Sequence, residues 1–207
     1  MQPPVVGRLV CHVLLCETAS GLVLVDSGMG LADIADPAAR LGLLRYLLQP
    51  SSDPATTAVR QIEALGFEAD DVLATLARQA RSRGHEVTIV TGDKDLMQLV
   101  QEGVELFDPM RDAHYRREQV KDKMGVFPEQ IVDYLALCGD AVDNIPGVPK
   151  IGPKTATDLL AEFTSLEGIY QNLEAIKKPG TRATLAEHRD DAFLSQKLAS
   201  LAFDVPV

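Results

Sequence analysis

The sequence predicts an α/β part followed by an all-α part. A helical pattern over 69–83 precedes the apolar run 86–90, which is typical of a buried parallel strand. A second helix and strand are predicted over 96–100 and 104–107, and this alternation indicates an α/β layer. After Pro128 the strand signals stop, and we expect four helices, at 128–138, 153–162, 165–172 and 188–201.

The first 66 residues predict a β-hairpin and two helices. Residues 8–16 and 22–26 are rich in β-branched and apolar side chains, and Gly21 marks a turn between them. Helices are predicted over 38–48 and over 54–65, where a proline fits the first turn. We therefore divide the chain into an N-terminal segment at 1–66, an α/β part at 67–127 and a helical part at 128–207.

Composition restricts the functional class. The chain has 207 residues, 46% of them hydrophobic, and a net charge of −10, so any binding of nucleic acid would be local and aided by cations. Three cysteines without a repeating spacing favour reduced thiols. The apolar runs are too short to cross a bilayer, so we expect a cytoplasmic protein that has no contact with membranes.

Seven carboxylates occur in three short stretches of the chain. Magnesium prefers oxygen ligands and shares them with substrate phosphate, so acids at the ends of secondary elements predict a divalent-cation site. Two such ions can promote hydrolysis of a phosphodiester. The candidate ligands are Glu68, Asp70, Asp71, Asp93, Asp95, Asp140 and Asp143.

Local roles could also explain some of these acids. Glu68 and Asp71 are three residues apart at the start of a predicted helix, where acids often cap and complement the helix dipole. Asp93 follows a glycine in a turn, and aspartate is common there for local reasons. Both alternatives remain open from the residues alone.

A loop with two glycines five residues apart opens the predicted helix that begins near Pro153. Glycines let the backbone approach a phosphate, while backbone N–H groups and lysines supply the donors. A helix–turn–helix linker with solvated lysines is the structural alternative. The candidate DNA-binding residues are Gly147, Val148, Lys150, Ile151, Gly152, Lys154 and Thr155.

Residues 67–207 resemble the flap endonuclease and 5′→3′ exonuclease family. The resemblance is carried by three runs: Glu68–Ala77, Thr91–Val100 and Gly139–Ala156. The resemblance implies a partial PIN-like sheet with helices, then a helix–three-turn–helix (a helix–hairpin–helix form) at about 135–163. It implies that the seven acids bind metal, with Asp71, Asp93 and Asp95 catalytic.

The resemblance also implies the cofactors and the partner. It implies two Mg²⁺ ions, or Mn²⁺ in their place, and K⁺ at the helix–hairpin–helix. The implied substrate is duplex DNA with a 5′ flap, a nick or a 5′ end, as in DNA repair and replication, and the implied state is a monomer. A duplex-DNA-binding remnant without catalysis is the alternative.

Residues 7–65 depart from that family and resemble the start of a metallo-β-lactamase-fold hydrolase. The resemblance is carried by Leu9–Leu15 and Gly21–Gly28. The four histidines are far apart in the sequence, which argues against the zinc site of such a hydrolase. Asp26 ends an apolar run and is a further candidate metal ligand, with an aspartate in a β-turn as the local alternative.

Overall fold

The computed structural model describes residues 13–18, 21–26 and 67–206, which fall into two compact units. The first unit comprises Met1–Thr91 with Ala202–Val207, and the second comprises Gly92–Leu201. The helices predicted over 38–48 and 54–65 lie outside the described residues. The predicted division at 66 and 127 remains a prediction.

Three strands and one helix are described in the first unit: β1 (Val13–Thr18), β2 (Gly21–Asp26), α1 (Ala69–Ser82) and β3 (Val87–Val90). β1 and β2 form an antiparallel hairpin in which Thr18 pairs with Gly21. β2 then runs parallel to β3, with Val25 opposite Val90. The predicted hairpin is confirmed, and it supplies β3 with a paired neighbour.

Helix α1 buries one apolar face and ends at a glycine. Leu73 and Ala77 are among its buried side chains. Gly84 follows with a φ of +84°, a conformation that glycine adopts without steric cost. The C-terminal tail lies against the helix, because the Val205 N–H donates to Thr75 Oγ1 over 3.2 Å. This hydrogen bond joins residues 130 positions apart and satisfies a buried threonine hydroxyl.

A β-hairpin and six helices are described in the second unit. β4 and β5 pair antiparallel, with Leu106 opposite Tyr115. The 3₁₀ turns lie at Asp95–Leu99, Pro128–Gln130 and Leu173–Ala175. The strands and α-helices are β4 (Val104–Asp108), β5 (Ala113–Tyr115), α2 (Arg117–Met124), α3 (Ile131–Cys138), α4 (Pro153–Phe163), α5 (Leu166–Gln171), α6 (Pro179–Glu187) and α7 (Arg189–Ala199).

The sequence-based prediction missed β5, α2 and α6, and the helix predicted over 96–100 is a 3₁₀ turn. α2 has a single buried residue, Val120, so it carries almost no apolar periodicity. α6 begins with Pro-Gly, which favours a turn, although proline also suits the first helical position. Apolar periodicity alone therefore does not identify these elements.

The helical core forms around α3. Ile131, Leu135 and Leu137 are almost fully buried. Asp133 on the same helix is a buried acid that accepts hydrogen bonds from the Leu166 N–H (2.9 Å) and the Gln196 side chain (2.8 Å). Burial raises the pKa of Asp133, and these two hydrogen bonds oppose the rise.

The predicted fold class, mixed α/β followed by a helical region, is confirmed. In the part of the chain that is described, no helix is both long enough and apolar enough to cross a membrane.

Candidate metal centre and nucleic-acid loop

Three acids of the second unit converge in space. Asp95 is the first residue of a 3₁₀ turn, whereas Asp140 and Asp143 follow α3. One carboxylate oxygen from each lies within 4.8 Å of the others. Acids separated by 45 residues in sequence thus share one potential ligand sphere.

The turn after α3 is fixed by its own backbone. Gly139 adopts a φ of +71° and lets the chain reverse after the helix. Asp140 and Ile145 then exchange two backbone hydrogen bonds, of 2.9 and 2.8 Å. The Val142 N–H donates to Asp140 Oδ1 over 2.8 Å, which orients that carboxylate.

Lys94 is the cation that contacts this cluster. Its Nζ donates a hydrogen bond to Asp140 Oδ2, and the two form an ion pair. The Lys94 side chain is 45% exposed, while that of Asp140 is only 5% exposed. The hydrogen bond from Lys94 lowers the pKa of Asp140 and raises the pKa of Lys94. Asp140 is therefore held ionised.

Asp95 experiences the opposite environment. Its Oδ1 atom is buried and has no hydrogen-bond partner among the described residues. Burial, together with the neighbouring Asp143 and Asp93 carboxylates, raises the pKa of Asp95 to about 7. A buried oxygen without a partner, in a set of converging carboxylates, fits a hard divalent cation.

The remaining predicted acids have local partners. Asp93 Oδ1 accepts the Asp95 N–H over 2.9 Å, which closes a short turn. In the first unit, Asp71 accepts the Glu68 N–H on Oδ2 (2.9 Å) and the Ala202 N–H on Oδ1 (2.7 Å). The hydrogen bond from Glu68 matches the capping alternative, whereas the one from Ala202 joins residues 131 positions apart. Each of these carboxylate oxygens keeps a second lone pair.

The structure places Glu68 at the N-cap of α1, Asp70 in its first turn and Asp26 at the end of β2. These three and Asp71 belong to the first unit, whereas the cluster of Asp95, Asp140 and Asp143 belongs to the second. The proposed metal and catalytic roles of all eight acids remain predictions.

The glycine loop packs closely against the end of α3. Gly147 has a φ of +65°, and a Cβ placed there would lie 2.2 Å from the Gly139 nitrogen. The Val148 N–H donates to the Leu137 carbonyl over 2.9 Å. The Gly147 N–H donates to Oγ of buried Ser195 on α7, also over 2.9 Å. The loop is therefore a fixed part of the helical core.

The candidate DNA-binding residues differ in their exposure. Val148 and Ile151 are 3% and 4% exposed, so their side chains belong to the core and are not accessible to a ligand. Lys150 and Lys154 are exposed. Gly152 caps α4, and a Cβ there would meet no atom within 4 Å, so the start of this helix is open.

Sequence reasoning missed the roles of Lys94 and Ser195. Lys94 lies between two candidate metal ligands in the run Gly-Asp-Lys-Asp, and this position is the feature of the sequence that could have indicated its contact with the acids. Ser195 gave no signal, because it is one polar residue on a helix 48 positions from its partner.

Two adjoining family models match the chain. Residues 54–125 match the N-terminal resolvase-like domain of the 5′-3′ exonucleases. Residues 126–207 match their C-terminal SAM fold.

Curated relatives support the same assignment over part of their length. DNA polymerase I of Rhizobium leguminosarum is 48% identical over 146 residues, which is 70% of this chain but 14% of that protein. The 5′-3′ exonuclease of Aquifex aeolicus is 44% identical over 146 residues, 70% of this chain and 49% of that protein. The chain thus spans about half or less of the length of these two relatives.

Solved structures show the same fold. The 5′-exonuclease of bacteriophage T5 with bound zinc superposes with a TM-score of 0.59 at 26% identity, over 65% of this chain and 50% of that one. A complex of the T5 flap endonuclease with DNA and metal ions superposes with a TM-score of 0.59 at 25% identity, over the same shares of the two chains. With both family models and these relatives in agreement, the chain belongs to the 5′-3′ exonuclease family.

Proposed function

We propose that this chain acts as a metal-dependent 5′→3′ exonuclease and flap endonuclease that hydrolyses phosphodiester bonds in DNA. The observation that carries the proposal is the convergence of Asp95, Asp140 and Asp143 within 4.8 Å. The family relationship supplies the reaction class, because several relatives are named as 5′-3′ exonucleases.

The second unit supplies the groups that would hold a divalent cation. Asp95 offers the buried Oδ1 atom, Asp140 offers an ionised carboxylate, and Asp143 offers an exposed one. Asp93 supports the turn that presents Asp95. A bound divalent cation would act as a Lewis acid that stabilises negative charge on a phosphodiester oxygen. We assign catalytic roles to Asp71, Asp93 and Asp95, and metal roles also to Glu68, Asp70 and Asp26.

The glycine loop would hold the duplex beside this centre. Lys150 and Lys154 are exposed and can contact phosphates, and the open start of α4 adds backbone donors. Such contacts bind any DNA sequence and weaken as salt concentration rises. Gly147, Val148 and Ile151 would contribute through the shape of the loop, because their backbone N–H groups donate within the protein. Thr155 would contribute from the first turn of α4.

The finer assignments follow from the family. Two Mg²⁺ ions, replaceable by Mn²⁺, would occupy the acidic centre, and K⁺ would bind at the helix–hairpin–helix. The substrate would be duplex DNA with a 5′ flap, a nick or a 5′ end, cut by a monomer in the cytoplasm. The DNA and metal ions bound to the T5 flap endonuclease support DNA as the substrate class and a metal-dependent reaction.

Cleavage of a 5′-flapped duplex tests the proposal. We expect cutting with Mg²⁺, none with EDTA, and about a 10- to 100-fold lower rate for Asp93→Ala, the range that partners of metal ligands commonly contribute. Asp122→Asn is the matched control, because Asp122 is an exposed acid of α2 outside the cluster. It should cut at the rate of the unaltered chain.

Two other outcomes would change the assignment. Unchanged cutting by Asp93→Ala would reject the proposed centre. A folded protein that binds the duplex with strong salt dependence but cuts nothing would favour the DNA-binding remnant. In that case, Lys150→Glu with Lys154→Glu should weaken binding; unchanged binding would reject the role of the loop.

A further inference from the structure

The two oxygens of Asp140 have different partners. Oδ1 accepts the backbone N–H of Val142, a contact built into the turn. Oδ2 accepts the ammonium of Lys94, a side chain that reaches the cluster from the neighbouring loop. A cation that binds Oδ2 leaves the turn contact of Oδ1 intact and must replace the ammonium of Lys94.

Lys94 can leave this oxygen at low cost. Its side chain is already 45% exposed, so moving the ammonium into water requires little structural change. Asp140 cannot move in the same way, because it is 7% exposed and its backbone pairs with Ile145. Three converging carboxylates repel one another unless a positive charge lies among them. Lys94 supplies that charge when no metal ion is bound.

From this geometry we infer that Lys94 is a tethered counter-ion that competes with the divalent cation for Asp140 Oδ2. The inference rests on the proposed function and concerns the regulation of its metal site. Metal entry displaces the ammonium, and departure of the metal lets Lys94 return. Lys94 thus stabilises the metal-free protein and weakens metal binding.

Direct Mn²⁺ titration of the 207-residue chain tests the inference without any need for nuclease activity. Lys94→Met keeps the length of the side chain and removes its charge. We expect it to bind Mn²⁺ about two- to fivefold more tightly, the range that a partly exposed charge pair supports. Lys197→Met is the matched control for a general effect of net charge, because Lys197 is exposed on α7 in the same unit. It should change the affinity less than twofold.

Thermal unfolding provides the second measurement. Lys94→Met should lower the melting temperature of the metal-free protein, and saturating Mn²⁺ should remove that difference, since binding stabilises the state it selects. An equal loss of stability with and without Mn²⁺ would overturn this inference and leave the proposed function standing. An unchanged or weaker affinity of Lys94→Met for Mn²⁺ would do the same. If the unaltered chain bound no Mn²⁺, the metal centre of the proposed function would fall, and this inference with it.

Discussion

Replacing Gly147 by alanine should destabilise the second unit by about 3 kcal/mol or more, because two costs add. The new Cβ would lie 2.2 Å from the Gly139 nitrogen, a backbone atom that cannot rotate away. The φ of +65° is also unfavourable for a residue with a side chain. Urea unfolding followed by far-ultraviolet circular dichroism measures the loss.

Two other glycines are matched controls for this change. Gly152 has a negative φ and open space around its Cβ position, so Gly152→Ala should cost under about 1 kcal/mol at this N-cap. Gly84 has a positive φ but no atom near its Cβ position, so Gly84→Ala should lower the stability by roughly 1–2 kcal/mol through the backbone conformation alone. A loss for Gly147→Ala no larger than that for Gly152→Ala would contradict the described packing of the loop.

Asp95→Asn should abolish cutting and at the same time stabilise the metal-free protein. The activity should fall at least about 100-fold, because a candidate ligand loses its charge. The stability should rise by about 1 kcal/mol at pH 8, since a half-exposed charge is partly screened. The gain arises because burial, Asp143 and Asp93 all disfavour the ionised form of Asp95.

The stabilisation should depend on pH in a defined direction. The pKa of Asp95 is raised in the folded state to about 7, from 3.8 in the unfolded state. The folded protein therefore binds more protons between these values, and its stability falls as pH rises through them. The advantage of Asp95→Asn should be full above pH 7 and should vanish near pH 4. Chemical denaturation at pH 4.5, 6 and 8 without metal measures it.

The same variant distinguishes a metal centre from a structural cluster. A structural role for Asp95 would make Asp95→Asn less stable at every pH. Reduced cutting with lower stability would therefore contradict the environment described for this acid. Asp122→Asn, with the same chemical change on an exposed helix position, should alter neither the rate nor the pH profile.

Local pattern predicted the strongest elements of the fold. The helix expected over 69–83 is observed as Ala69–Ser82, and the strand expected over 86–90 as Val87–Val90. Both combine a clear apolar period with a glycine boundary. The two missed helices lack a clear apolar period, since α2 is nearly all polar and α6 opens with Pro-Gly. Gly125 does end α2 in the left-handed conformation, but a glycine boundary without an apolar period is also typical of a turn.

The sequence predicted which acids form the converging cluster, but it did not predict the side-chain contact that Lys94 makes with them. Spacing and family resemblance identified Asp95, Asp140 and Asp143, and the structure brings these carboxylates together. The Lys94 contact to Asp140 spans 46 positions, and no periodic pattern relates two such residues. The contact between Asp71 and Glu68, by contrast, joins residues only three positions apart. The sequence predicted this capping hydrogen bond as one of two alternatives for Asp71.

The division of the chain has a consequence for the order of folding. The first unit is discontinuous, and its tail must return to α1 across the whole of Gly92–Leu201. Closing so long a loop from an unfolded chain is entropically costly. Within the second unit, however, the Gln98 side chain donates to the Ala199 carbonyl over 3.1 Å and holds the two ends of that unit together. Folding of this continuous unit first therefore shortens the loop that must close before Ala202 and Val205 can pair with α1.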